Sequence, residues 1–417
     1  MRVLLISNHF PPDFNPSGKL MGQLAEGLRA EGFSVDVLTT FPHYEGFRVA
    51  DAHRGKLIEH ERIGDDTITR VWSFTSGRKH KMLHRLMNYI SFNGIAGFVG
   101  LRRRRYDVIL ANSGSFFTGV TSWLIDAARH TPFVYNVQDI YPDVPVRAGQ
   151  LKNRVAIAGL ERIESFMYRH AASVTVISRE QYDTLRRKGV PVEKLEVIPN
   201  FVDTELVRPA PKDNEFSRAH QLDRKTIIGH AGNLGFAYDF DTLLDVAAEL
   251  RDNANVEFLI VGEGVHKKHI IERIAAEQIG NVRLMPFQPE AMLPQLRATM
   301  DVQLALYQPD AAQSSLPSKI YEAMASGRPL LVAAEEGTEL RHVVEETKSG
   351  LVVDPRNKKQ LLAAVQALIA DTDLRSRLGA QGRIAAETSF SKQRAVQRYA
   401  TLFRRLTGVD KVHDRKQ

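Results

Sequence analysis

Ser314, Ser315, Ser318, Lys319 and Glu322 lie close together in the stretch Ser314-Ser315-Leu316-Pro317-Ser318-Lys319-Ile320-Tyr321-Glu322. Hydroxyls can donate to phosphate oxygens, an ammonium supplies a full positive charge, and a carboxylate can accept from two neighbouring sugar hydroxyls. If a helix begins near Pro317 or Ser318, its free N–H groups and positive dipole end favour an anion at the same place. Glu322 then lies one turn further in, on the side of Ser318 and Lys319. Together these groups, with Leu316 and Pro317 in the loop before them, suit a nucleoside diphosphate and its ribose. The plainer reading is a surface helix capped by Ser318, with a solvated Lys319–Glu322 pair.

The flanking elements favour binding. Gly327-Arg328-Pro329 stops the helix, and Val302–Tyr307 and Leu330–Ala334 are apolar runs of the buried-strand kind. A helix between two such strands belongs to a parallel sheet, whose ligands sit at the carboxyl ends of the strands. The same alternation supplies two glycine-rich turns. Thr226–Ala231 runs into Gly232-Asn233-Leu234-Gly235, and Val256–Val261 into Gly262-Glu263-Gly264. Both could cradle phosphate, although neither is a GxGxxG or a Walker loop. Phe287 ends the short strand 282–287, which would bring backbone groups beside a base.

At 417 residues the chain exceeds one compact core, and about 200 residues per domain is the expectation. Hydrophobic residues at 43% and charged residues at 25% are those of a globular protein. The formal net charge of +7 calls for an anionic partner but does not choose it. With no cysteine, disulfides and thiolate metal sites are excluded. The first residues are too short an apolar run for a signal core, and no stretch is long and apolar enough to span a bilayer, so a cytoplasmic protein is expected.

The chain opens with a strand at Val3–Ser7, a proline-rich loop, a helix from about Lys19 and a strand at Phe33–Thr39, a βαβ unit in which Gly18 would admit a phosphate or sugar. Residues 41–66 read as irregular, and His43, His53 and His60 as surface or loop residues rather than metal ligands. Between Arg78 and Arg105, basic clusters bracket an interrupted apolar segment, the pattern of a helix lying in an anionic membrane interface or of a core helix with a solvated end. The strand at Phe133–Val137 delivers Gln138 and Asp139 to a ligand edge. The polar segment 208–224 reads as a linker, and 391–406 as an amphipathic helix. Stacking aromatics do not interleave the basic clusters, which argues against nucleic acid.

Phe10-Pro11-Pro12 with Gly18, Gln138-Asp139-Ile140-Tyr141-Pro142, Val197-Ile198-Pro199-Asn200-Phe201-Val202-Asp203, Gly232-Asn233-Leu234-Gly235, Val261-Gly262-Glu263-Gly264 and Pro317-Ser318-Lys319 leading to Glu322-Ala323-Met324-Ala325-Ser326-Gly327 occur in that order. In this the whole chain resembles the retaining GT-B glycosyltransferases of family 4, most closely the surface-polysaccharide branch with fucosamine and colanic-acid type transferases. The resemblance implies an α/β fold of two Rossmann-like domains facing a cleft. Residues 1–205 would bind the acceptor, 206–390 the nucleotide sugar, and 391–417 would return to the first domain. It implies that Glu322 holds the ribose, that Gly232–Gly235 contacts the diphosphate, that Gly18 lies under the phosphate or donor sugar, and that Asp139 lines the transferred sugar. Three departures touch the donor sugar. The family's first glutamate falls at Ser314, Phe236-Ala237-Tyr238-Asp239 replaces the usual Arg and Lys, and Gln138 stands where a histidine is frequent.

The expected reaction moves a sugar, an N-acetylated or deoxy hexose, from UDP to a lipid-linked saccharide with retention of configuration, on the inner face of the cell membrane. Lys319, the helix start and Gly232–Gly235 would stabilise the leaving diphosphate, with Asp139 and Gln138 beside the reacting sugar. A DxD-like motif is missing from the diphosphate region, so no cofactor and no metal are expected, and activity should survive EDTA. Two alternatives are a UDP-sugar 2-epimerase, revealed by conversion of UDP-N-acetylglucosamine alone, and a non-catalytic nucleotide-sugar-binding protein.

Overall fold

Apolar runs alternating with helices build two largely parallel sheets in the computed structural model, which describes residues 1–408 apart from 14, 45, 50, 78–81, 104, 148 and 310–316. Two units result, Met1–Asn200 with the segment from Lys392, and Phe201–Ser391.

In unit 1 the strands are β1 (Arg2–Ile6), β2 (Ser34–Thr40), β3 (Ile58–Ile63), β4 (Asp66–Val71), β5 (Val108–Asn112), β6 (Phe133–Val137), β7 (Ser173–Val176) and β8 (Leu195–Val197). Their order is β3-β4-β2-β1-β5-β6-β7-β8. The central strands are buried on both faces, hence their nearly unbroken apolar sequences. Helices α1 (Pro16–Ala30), α2 (Met82–Arg102), α3 (Thr118–Arg129), α4 (Asp143–Arg147), α5 (Arg154–His170) and α6 (Arg179–Arg187) connect them. Strand order reverses at β1, which lies between β2 and β5, so the loops after β1 and β5 flank the topological switch point.

The supposedly irregular stretch 41–66 is corrected here. It contains β3, paired antiparallel with β4 from Ile58↔Val71 to Ile63↔Asp66. β3 is an edge strand with mostly exposed side chains, so it carries no buried alternation to read. α2 has one buried face, with Asn88, Phe92, Asn93, Ala96 and Val99, and one exposed apolar stripe, with Leu83, Met87, Ile90 and Phe98. Its buried side meets α3, where the Thr121 hydroxyl donates to Asn93 Oδ1 at 2.7 Å. Arg78 to Lys81 and Arg104 lie outside the described residues.

Unit 2 holds α7 (Glu215–Ala219), β9 (Thr226–Ala231), α8 (Phe240–Glu249), β10 (Val256–Val261), α9 (Lys267–Ala276), β11 (Val282–Met285), α10 (Leu293–Thr299), β12 (Val302–Leu306), α11 (Ser318–Ala325), β13 (Leu330–Ala333), α12 (Glu339–Thr347), β14 (Gly350–Val353), α13 (Lys358–Ala370) and α14 (Thr372–Thr388). The strand order is β11-β10-β9-β12-β13-β14, all parallel, with its switch point between β9 and β12. The presumed linker 208–224 is likewise folded. It contains α7, opened by an Asn214–Ser217 capping box, and Lys212 pairs with Asp301.

The chain then returns to unit 1 as α15 (Lys392–Thr407). Val396 packs where Gly27 leaves room, Phe403 meets Phe33 edge-on at 6.2 Å, and Asn136 Nδ2 donates to the Tyr399 hydroxyl at 2.9 Å. Its apolar stripe is therefore the inner lining of unit 1 beside α1 and β6.

Candidate functional site

The two glycine turns of unit 2 close on each other. Gly232 N–H donates to Val261 O at 2.9 Å, Leu234 N–H to Glu263 O at 2.8 Å and Gly262 N–H to Met285 O at 2.9 Å. A Cβ on Gly262 would collide with Gly232 O, and one on Gly264 with the Leu234 backbone, so both glycines are required by the approach of the turns themselves. These N–H groups are committed within the fold, and the Leu234 side chain is buried in the sheet core. A Cβ on Gly232, by contrast, would meet open space, and its φ of 145° suits glycine. Gly235 is crowded only by the Asn233 side chain. The open edge of the turn is therefore Gly232, Asn233 and Gly235.

α11 begins across the switch point. Pro317 occupies its N-cap in extended conformation without a side-chain cap, and Ser318 opens the first turn on the exposed side. Lys319 is drawn inward. Its Nζ lies 3.9 Å from the Tyr238 ring centre, 5.9 Å from that of Tyr307 and 3.5 Å from His230 Nδ1. The two tyrosine hydroxyls are joined at 2.9 Å, which holds the rings in place. Among the described residues no carboxylate pairs with this amine, and burial lowers its pKa to about 7. The ring faces offset part of the lost hydration. His230 is buried at the carboxyl end of β9, and its Nε2 has no hydrogen-bond partner among the described residues. Burial, and then the Lys319 charge, hold its pKa well below the ordinary value. A partly charged amine at a helix start, against an imidazole whose other nitrogen lacks a partner among the described residues, forms a polar recess suited to an anion.

Glu322 stands on the next turn, partly exposed, with one oxygen paired to Arg297 of α10. Its other oxygen, Oε1, remains to accept from hydroxyls. Phe287 is 56% exposed after β11 and offers an apolar ring face. Ser314, Ser315 and Leu316 lie outside the described residues.

In unit 1, Gly18 sits in the first turn of α1, where a Cβ would come within 3.2 Å of the His9 carbonyl carbon and Phe10 N. Close approach of the β1–α1 loop accounts for this glycine without a ligand. Gln138 is bound at both ends of its amide, donating to Asn136 Oδ1 at 2.8 Å and accepting from Asn200 Nδ2 at 3.0 Å. Asp139 keeps an open side. Surrounding protein raises its pKa, while the Arg85 charge pulls the other way. Thus Gly232–Gly235, Lys319 and Pro317–Glu322 converge at the switch point of unit 2, and Gly18, Gln138 and Asp139 belong to loops of unit 1.

Residues 17–200 match the glycosyl transferase 4-like domain, and residues 212–385 match glycosyl transferases group 1. The chain belongs to the family 4 glycosyltransferases. It is 26% identical over 388 residues to the putative colanic acid biosynthesis glycosyl transferase WcaI of Escherichia coli (strain K12), covering 88% of this chain and 92% of that protein. It is 28% identical over 349 residues to the probable glycosyltransferase WbjE of Pseudomonas aeruginosa, covering 82% and 85%. Among solved structures, sucrose-phosphate synthase from Thermosynechococcus elongatus superposes with a TM-score of 0.73 at 20% identity, over 98% of this chain and all (100%) of that one. Anabaena HepE in complex with UDP-glucose superposes at 0.68 and 16% identity, over 96% and 99%. Both sheets thus have the GT-B architecture.

Four residues of this glycosyltransferase site were not legible as members of it. His230, Tyr238 and Tyr307 surround Lys319 from β9, the following loop and the end of β12, and Arg297 reaches Glu322 from α10. The only sequence signal was for His230, which directly precedes the glycine turn in Gly229-His230-Ala231-Gly232.

Proposed function

We propose that this glycosyltransferase moves a sugar from a UDP-sugar to a hydroxyl of a lipid-linked saccharide in surface-polysaccharide synthesis, with retention at the anomeric carbon. The observation that carries the donor half is the Lys319 amine, held by aromatic rings at the start of α11 beside His230 Nδ1, whose ring leaves Nε2 unpartnered among the described residues. As the glycosidic bond breaks, the diphosphate gains charge. A fixed cation and helix-end N–H groups stabilise that charge more than the ground state. Glu322 Oε1 receives the ribose hydroxyls while Arg297 holds the other oxygen. UDP complexes of the structural relative HepE and the colanic acid biosynthesis name of WcaI support UDP and a saccharide acceptor. Unit 2 binds the donor, unit 1 the acceptor, and no divalent cation is needed at the diphosphate.

The test supplies lipid-linked saccharide extract with a panel of UDP- and GDP-sugars. Acceptor-dependent UDP release is expected from one UDP-sugar, unchanged by EDTA, and the product keeps the donor's anomeric configuration. Donor binding without transfer to any acceptor would sink the enzymatic reading. An inverted product would sink retention.

The same function gives the exposed stripe Leu83, Met87, Ile90 and Phe98 its role as an insertion into anionic lipid, flanked by the basic residues 78–85 and 102–105. No helix among the described residues is long and apolar enough to cross a membrane. Vesicles containing phosphatidylglycerol should retain the protein at low salt and release it as salt rises. Replacing Leu83, Ile90 and Phe98 together by serine should lower partitioning at least about tenfold, at about 0.8 kcal/mol per CH₂ withdrawn from lipid. Unchanged partitioning would remove this stripe as the contact.

A further inference from the structure

At the carboxyl ends of β1 and β2, two loops of unit 1 bring His9, Asp13 and His43 together, with one ligand atom from each lying within 4.8 Å of the others. His9 Nδ1 is 2.7 Å from Asp13 Oδ2, and the two imidazole rings stack at 4.9 Å. His43 lies in the loop after β2 as expected, but it is 2% exposed and so is not a surface residue.

The surrounding hydrogen bonds fix which lone pairs face inward. The Thr40 hydroxyl donates its single proton to Asn8 O at 2.5 Å, so it has none for His43 Nδ1. That nitrogen therefore carries the proton and donates to Phe41 O at 2.9 Å, leaving the His43 Nε2 lone pair free. Asn88 Nδ2 is 3.3 Å from His43 Nε2 but has closer acceptors in Phe74 O at 2.9 Å and Ser73 Oγ at 3.1 Å, which take both of its protons. Asp13 Oδ1 accepts from Tyr44 N–H at 2.9 Å, which aims Oδ2 at the rings. A ring N–H on a carbonyl and a carboxylate pinned by a backbone amide are the supports that orient metal ligands.

Asn8 adds an independent sign. It is 1% exposed, its amide nitrogen faces His9 Nε2 at 3.3 Å and donates to Asn88 Oδ1 at 3.4 Å, and its Oδ1 is buried without a partner among the described residues. A metal on His9 Nδ1 displaces the proton shared with Asp13 Oδ2, so Nε2 then carries the ring proton and the Asn8 amide turns to accept it through Oδ1.

We infer that His9, Asp13 and His43 form a zinc site that staples the β1–α1 loop to the β2–β3 loop, distinct from the donor recess of unit 2. Two imidazoles and one carboxylate are a zinc donor set, and the partly exposed face of His9 leaves a fourth position for water. Tetrahedral donors about 2.0 Å from the ion stand about 3.3 Å apart, so His9 and Asp13 separate by about half an ångström on binding.

The full-length protein, stripped with EDTA and dialysed, is titrated with zinc chloride alone. About one equivalent should bind, and Tm should rise with zinc concentration. His9→Ala and His43→Gln should each weaken binding at least about 100-fold, and Asn8→Ala about tenfold, as expected for an outer partner. Variants are compared only where their metal-free Tm matches the wild type, and Asp13→Asn, which keeps the side-chain shape, serves as a further ligand variant. Binding of less than about a tenth of an equivalent, or retention of wild-type affinity by either histidine variant, overturns the site. An imidazolium resonance for His9 at neutral pH, undisturbed by zinc, overturns it in favour of a protonated His9–Asp13 pair.

Discussion

Replacing Lys319 by methionine should lower kcat about 100- to 1000-fold, the usual loss when one donor to a developing anion is removed, with a much smaller change in UDP-sugar affinity. Methionine keeps most of the unbranched stem beside Tyr238 and removes the charge. The wild-type pH profile gives a second reading of the same group. Lys319 in the free protein loses its proton near pH 7, so kcat/KM should fall about tenfold per unit as pH rises above that value, and the methionine variant should lose this limb. A UDP-sugar is the right probe because its diphosphate is a diester and does not titrate there. Folding stability should move the other way. The lysine pKa is lowered on folding, so between about pH 7 and the ordinary lysine value of 10.5 the unfolded chain binds the extra proton, and the fold gains stability across that window. Falling activity with rising stability separates discharge of Lys319 from alkaline unfolding. Equal losses of kcat and affinity in the variant would place Lys319 in ground-state binding only.

Glu322→Gln should raise KM for the UDP-sugar about 10- to 100-fold with little change in kcat, the scale of charge-assisted hydrogen bonds to the ribose. The loss should shrink to about twofold when the donor carries 2′,3′-dideoxyribose, because the partners of the carboxylate are then already missing. An undiminished penalty with that donor would mean that Glu322 acts through Arg297, the cation it holds, rather than through the sugar.

Local pattern made much of this protein readable. Val3-Leu4-Leu5-Ile6, Val256–Val261 and Leu330–Ala333 are strands buried on both faces, so their apolar runs survive in the sequence. The start of α11 was visible for the same kind of reason, since proline and serine ahead of good helix formers are a local signal. β3 was not, because an edge strand whose residues His60, Glu61, Arg62 and Ile63 are exposed has no face to mark. The histidines failed differently. His9 and His43 are far apart in the chain, and their stacking depends on β1 and β2 pairing in parallel with Ile6 opposite Leu38, a long-range fact that no spacing rule contains. The Lys319 recess is of the same type, assembled from the ends of β9 and β12, the loop after β9 and the start of α11. For the glycines, residue type was informative and its cause was not. Gly262 and Gly264 read as a phosphate cradle, yet their missing Cβ atoms make room for a neighbouring turn.

The return of α15 to unit 1 places the partner of Asn136 at Tyr399, with all of unit 2 encoded between them. On the ribosome, the second Rossmann-like unit can therefore collapse first, while the earlier one waits with the α1 groove and the Asn136 amide uncovered until α15 emerges. Nascent chains arrested before Lys392 should accordingly be the species that chaperones hold and proteases cut.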